Sequence, residues 1–224
     1  MLLLNLFLKQ FEEMIRVKVC GMNDPLNVRD LAGANPDYIG FIFYKGSPRY
    51  VGAEPEIELF GNVTNGIKKV GVFLNENYRR ILEISYRTGL DIIQLHGNES
   101  SDYCNLLKST GLTIVKVFNI NNEFSFESLI PYCSNCDYFL FDTKSEKAGG
   151  SGKKFDWGKL EEYSLDKPFF LSGGIGPEDT DLIKSIRNQS FFAVDINSRF
   201  EISNGIKDIG LVKSFINSIK GERI

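Results

Sequence analysis

The chain has 224 residues, a length that suits one large α/β domain. Hydrophobic residues make up 42% of it, enough for a substantial core, and 26 basic against 29 acidic side chains leave a net charge of -3. That balance argues against a nucleic-acid binder, which presents a basic face, but leaves room for a small anionic substrate held by local donors.

The opening stretch MLLLNLFLKQFEEMI is apolar but short. It lacks a basic segment before it and a small-residue cleavage site after it, so it does not read as a secretory signal. No segment approaches the roughly 18 continuous apolar residues of a membrane span. The expectation is a soluble, cytoplasmic protein with no membrane partner. Residues 1–15 are read as an N-terminal extension and 16–224 as a single catalytic domain. Met14 is a candidate start; a native peptide covering Leu2 to Glu13 would refute that.

Short β-rich apolar runs then alternate with helical segments. Strands are predicted at Arg16–Cys20, Tyr38–Phe43, Lys69–Phe73, Ile92–Leu95, Thr113–Val117, Tyr138–Phe141, Phe169–Leu171 and Phe192–Val194. Helices are predicted near Pro25–Ala32, Pro55–Asn62, Glu76–Thr88, Ser100–Ser109, Glu123–Cys133, Trp157–Tyr163, Pro177–Ile186 and Gly210–Lys220. Pro25 and Pro177 suit a first helical turn, where a missing N–H costs little. Asn75 is placed to cap the third helix and Gly89 to end it. Alternating strands and helices point to a parallel (β/α)8 barrel, the TIM-barrel architecture. Strand count alone does not close a ring, so an open doubly wound sheet stays open at this point.

In a parallel barrel the chemistry sits at the carboxyl ends of the strands. The polar residues there include Cys20, Arg49, His96, Asp142, Ser172 and Asp195. Cys20 could be a reactive thiol at the mouth or a small buried residue. Asp142, after an apolar run, needs partners or a chemical role; a loop anchor is the alternative. Arg49 could grip a carboxylate with two prongs or form a surface ion pair. Gly149, Gly150 and Gly152 surround Ser151, and Gly173, Gly174 and Gly176 follow strand seven. Both clusters could bring backbone N–H groups to a phosphate, helped by a short helix in the segment Asp195–Glu201, or could be tight turns. With one histidine and no paired carboxylate motif, a catalytic metal is not expected. Cys133 and Cys136 form a lone C-x-x-C, read as structural.

Taken together, KVCGM, GFIFYKGSPRYV, VGVFLN, DIIQLHGNE, FDTKSEKAGGSGKKFDW, LSGGIGPED and VDINSRFEISNGIKD resemble the motifs of phosphoribosylanthranilate isomerases. They occur in that family's order and span about residues 16 to 220. The resemblance implies an Amadori rearrangement of N-(5-phosphoribosyl)anthranilate to 1-(o-carboxyphenylamino)-1-deoxyribulose 5-phosphate, in tryptophan biosynthesis. It implies Cys20 as general base, Asp142 as general acid, and Arg49 on the anthranilate carboxylate. Asp195 would lie near the substrate's amino group, and His96 would line the wall or donate a hydrogen bond. Phosphate would be held by Gly150, Ser151, Gly173, Gly174, Asn197 and Ser198. The thiolate of Cys20 would be favoured by nearby N–H groups or cationic charge. No cofactor is implied, and family members occur as monomers and homodimers.

Two departures stand out. Asn197-Ser198-Arg199 replaces a Ser-Gly pair common in the family, and Lys144 to Lys147 replaces a more apolar stretch. Three other readings are weighed. An aminoaldose isomerase of histidine biosynthesis would want an aspartate in place of Cys20. An epimerase-like enzyme would want metal-binding histidines. A catalytically silent phosphate-ligand binder would have no use for Cys20 and Asp142 together.

Overall fold

The computed structural model describes residues 14–63, 66–143 and 155–221. Eight parallel strands form a closed barrel in chain order: β1 (Arg16–Val19), β2 (Tyr38–Ile42), β3 (Lys68–Phe73), β4 (Ile92–Leu95), β5 (Thr113–Ile120), β6 (Tyr138–Thr143), β7 (Phe169–Leu171) and β8 (Phe191–Ile196). The ring closes where β1 pairs with β8, with Lys18 opposite Asp195. That pairing removes the open-sheet alternative, whose outer strands would stay unpaired.

The helices are α1 (Pro25–Ala32), α2 (Ile57–Gly61), α3 (Tyr78–Thr88), α4 (Ser101–Lys108), α5 (Thr180–Ser185) and α6 (Ile209–Lys220). Each long helix buries one stripe. In α6 the buried residues are Val212, Phe215, Ile216 and Ile219, the spacing of one helical face. Caps fix the ends: Asp24 accepts from Asn27 N at 2.7 Å, and Asp208 from Leu211 N at 3.0 Å. Gly89 ends α3 in the left-handed conformation, as expected of a glycine at that position.

Several expectations are corrected. The second helix is shorter than predicted and begins after Pro55. The cap of α3 is Asn77, not Asn75; its side chain accepts from Arg79 N at 2.9 Å. Asn75 instead adopts φ 50° and accepts from Asn98 N, joining two loops. The segments expected as helices near 123–133 and 157–163 are 3-10 turns, Phe126–Tyr132 and Trp157–Glu162. Pro131 lies inside the first and cannot donate to an α-helical ladder. Pro177–Asp179 is also 3-10 before α5 takes over. A hairpin after β8, β9 (Glu201–Ser203) with β10 (Ile206–Lys207), was not predicted at all.

The core has two parts. One lies between barrel and helices. The other fills the barrel itself with Tyr38, Val70, Ile92, Val115, Val117, Leu140, Phe170 and Ala193. Tyr38 and Tyr138 meet Phe170 edge-on at 5.4 and 5.6 Å. Each large side chain buried this way contributes roughly 1.5–3 kcal/mol. These residues form an apolar plug. Strand alternation carries the same inward face upward to Cys20, Gln94, His96, Asp142 and Asp195. The change from apolar to polar along one inward face is what puts a site at the carboxyl end.

Candidate active site

Cys20 follows β1 directly, and its N–H continues the barrel ladder to Ile196 O at 2.9 Å. Its side chain is buried, and Gly40 of β2 lies against it. A Cβ on Gly40 would sit 2.8 Å from Cys20 Sγ, so only glycine leaves the thiol its place. Beside it, Lys18 is buried and donates to Asp195 Oδ2 at 2.7 Å. Cys20 lies near enough to Lys18 to favour its charged form. Burial alone would pull the lysine's pKa down; Asp195 and Cys20 together raise it.

The thiol does not follow its neighbours' charge. Burial pushes Cys20 up, and the cations Lys18 and Lys207 offset this only in part. The cationic surroundings expected for a thiolate are therefore present, but desolvation outweighs them. Asp195 is raised by the same burial, against the pull of Lys18. Its Oδ1 is buried with no hydrogen-bond partner among the described residues, as is Gln94 Oε1. Unsatisfied buried oxygens are rare, and a bound N–H or O–H group would satisfy them.

Asp142 is the next-to-last residue of β6, not the first after it as predicted. Its Oδ1 accepts from Thr143 N at 2.8 Å, while Oδ2 faces His96 Nε2 at 3.5 Å. Gly173, with φ 94°, packs on this carboxylate: a Cβ there would lie 2.7 Å from Asp142 Oδ1. Gly174 follows with φ 69°. The left-handed pair turns the chain after β7 tightly over Asp142. Behind His96, the buried Glu99 accepts from Asn75 N at 2.8 Å and Gly97 N at 2.9 Å. Lys116 braces it at 3.2 Å. This clamp joins the loops after β3 and β4.

Arg49 is not the surface ion pair weighed above. It is buried and bound two-pronged to Glu201, Nε to Oε1 at 2.8 Å and Nη2 to Oε2 at 2.6 Å. Lys207 also donates to Glu201 Oε1 at 2.6 Å and to Asn197 Oδ1 at 2.7 Å. The hydrogen bonds raise Arg49; burial would raise Glu201, but Arg49 and Lys207 bring it below its ordinary range. Lys207 is lowered by burial despite its partner. Gly21, with φ 81°, lets the Arg49 stem pass close above Cys20: a Cβ there would lie 2.6 Å from Arg49 Cδ.

Thus Cys20, Arg49, His96, Asp142 and Asp195 gather at one mouth. Asn197 faces the Arg49 cluster through its side chain. Ser198 begins a single 3-10 turn, Ser198–Phe200, where a short helix was expected. Arg199 pairs with Glu178 at 2.8 Å on the surface. Gly150 and Ser151 lie outside the described residues, with the rest of that glycine loop. Residue-by-residue inspection of the sequence missed Lys18, Glu99, Glu201 and Lys207. Lys18 had one signal, a charge inside the apolar strand RVKV.

Fold and site together define a (β/α)8-barrel enzyme with a thiol and two carboxylates at its mouth. The model of the N-(5'-phosphoribosyl)anthranilate isomerase family matches residues 17–218, and the chain belongs to that family. The family's enzymes are aldose–ketose isomerases. The chain is 44% identical over 204 residues to the enzyme of that name from Parabacteroides distasonis, covering 91% of this chain and 92% of the relative. It is 41% identical to that of Phocaeicola vulgatus, over 91% and 97% of the two chains. The crystal structure of the Thermotoga maritima enzyme superposes with a TM-score of 0.79 at 32% identity, over 93% of this chain and 100% of that one. Another solved phosphoribosylanthranilate isomerase, in complex with reduced 1-(o-carboxyphenylamino)-1-deoxyribulose 5-phosphate, gives 0.78 at 29% identity, again over 93% and 100%.

Proposed function

We propose that this mouth performs the family's isomerisation in tryptophan biosynthesis, with Cys20 as general base and Asp142 as general acid. The substrate is phosphoribosylanthranilate. Asp142 in its acid form gives a proton to the furanose ring oxygen. The C1′–O bond breaks, the anthranilate nitrogen's lone pair forms the C=N bond, and a Schiff base results. Cys20 as thiolate takes the C2′ proton, giving an enolamine. Protonation at C1′ and loss of the C2′ hydroxyl proton complete the ketone. The single observation carrying this reading is the shared inward face that holds the Cys20 thiol, Asp195 and the His96–Asp142 pair.

Arg49 is assigned to the anthranilate carboxylate and the free Oδ1 of Asp195 to the amino N–H. Gly173 and Gly174, with Asn197, Ser198, Gly150 and Ser151, are assigned to phosphate. Anchoring the substrate at both anionic ends fixes C1′ and C2′ between acid and base. His96 orients Asp142 from its side. The thiolate that takes the proton is the form that Lys18 and Lys207 favour, against burial and the negative charge of Asp195. Cytoplasmic placement accords with four free cysteines.

The deciding assay follows loss of phosphoribosylanthranilate fluorescence with the wild type, Cys20→Ser and Asp142→Asn. Each variant is expected to lose at least about 10²-fold in kcat. A wild type that binds the ligand without turning it over would leave a silent binder; undiminished turnover in one variant would remove that residue's role.

A further inference from the structure

Arg49 has two edges on which a carboxylate can dock, and the protein itself occupies one. Nε and Nη2 are held by the two oxygens of Glu201, on the first strand of the hairpin after β8. Nη2 also makes a long contact to Asn204 Oδ1 of the same hairpin at 3.4 Å, and among the described residues Nη1 has no hydrogen-bond partner, so the end of the guanidinium that carries Nη1 is the edge left for a ligand. The guanidinium cannot swing to offer the other edge. Its stem is confined over Gly21, and Glu201 is itself pinned by Lys207 Nζ at 2.6 Å and Gly205 N at 3.1 Å.

The charges of this cluster are equally defined. Arg49 and Lys207 are cationic and Glu201 anionic, and their side chains are almost wholly buried. The sum is one positive charge. A fixed bidentate donor with a single uncompensated charge fits one carboxylate, not a neutral ring and not a dianion. Without Glu201, two adjacent buried cations would repel, and Arg49 would lose its orientation.

We propose that Glu201, pinned by Lys207, is the positioning residue that selects a monocarboxylated aromatic amine, by locking Arg49 with one edge toward the substrate. The proposal rests on the assignment of Arg49 to the substrate carboxylate. It extends the site to a hairpin that touches no reacting atom. Its prediction is specific: the hairpin sets discrimination for the carboxylate, while the phosphate end of the ligand is indifferent to it.

The test measures equilibrium binding of two probes by titration. One is reduced 1-(o-carboxyphenylamino)-1-deoxyribulose 5-phosphate; the other is the same molecule without the ring carboxylate. Wild type, Glu201→Gln, Glu201→Gln/Lys207→Met and Arg49→Met are compared. Glutamine keeps the shape of Glu201 but meets an Arg49 N–H with its own NH2. The double variant removes the buried lysine that the single one leaves without its anion, so the barrel stays folded. Both Glu201 variants are expected to weaken the carboxylated probe about tenfold, the factor of one charge-assisted contact, and to hold the other within about twofold. Parallel weakening of both probes, or no weakening, overturns the role of Glu201. If Arg49→Met loses the preference while the Glu201 variants keep it, only the clamp fails. If Arg49→Met keeps it, the assignment of Arg49 falls first.

Discussion

Replacing Lys18 by methionine leaves the Asp195 carboxylate inside the barrel without its cation. The pair is 2.7 Å apart, with side chains 1% and 5% exposed, so water cannot substitute for the lysine. Asp195 Oδ1 already lacks a partner, and no other cation contacts the carboxylate among the described residues. Breaking a buried pair from one side costs about 3–5 kcal/mol. For a domain of this size that lowers Tm by about 6 to 20 °C. The loss has a predicted pH dependence. Burial already raises Asp195 above its ordinary value, and losing Lys18 raises it further. A carboxyl raised in the folded state binds its proton to higher pH than the unfolded chain does. Folding is therefore favoured at low pH, and this advantage is lost as pH rises through the folded value. Lys18→Met should be nearer to wild type at pH 5 than at pH 8. Lys18→Met/Asp195→Leu, which removes both charges, should recover most of the loss at pH 8. Urea unfolding at the two pH values measures all of this. A loss below about 1 kcal/mol at pH 8, or one equal at both pH values, would refute a buried charge pair as the source of the effect.

Three further substitutions probe the packing that places the chemistry. Gly40→Ala sets a methyl 2.8 Å from Cys20 Sγ and 3.1 Å from its Cα; it should cost about 1–3 kcal/mol and lower kcat by displacing the proposed base, read by thermal melting and the fluorescence assay. Gly173→Ala crowds Asp142 Oδ1 and collides with Thr143, at a φ of 94° that alanine avoids. It should depress kcat more than ligand affinity, whereas an unchanged kcat would show that the turn does not hold the acid. Gly89→Ala tests the helix end alone: the left-handed φ of 64° costs roughly 1–2 kcal/mol, and steady-state kinetics should stay at wild-type values.

Much of the molecule was legible in the residues. Strand periodicity located all eight barrel strands, because each inward or outward position is dictated by neighbours on the same short segment. Helix ends were legible where a backbone rule acts locally, as at Pro25 and Gly89. They were missed where a competing residue took the cap, as Asn77 did from Asn75. The 3-10 turns were missed because apolar spacing resembles a helix until Pro131 and the short span available to the chain intervene. That Cys20, Asp142 and Arg49 lie at the barrel mouth was legible from their places at strand ends.

What the residues could not show is who meets whom across the ring. Lys18 finds Asp195 177 positions away, and Arg49 finds Glu201 152 positions away. No local pattern links such partners, and ring closure alone brings β1 against β8. Burial, too, is a property of the assembled barrel. It raises Cys20 against the pull of two cations, a balance that counting charges in the sequence would get backwards. Local chemistry thus chose the strands and the polar residues at their ends, while closure of the barrel chose their partners and buried them.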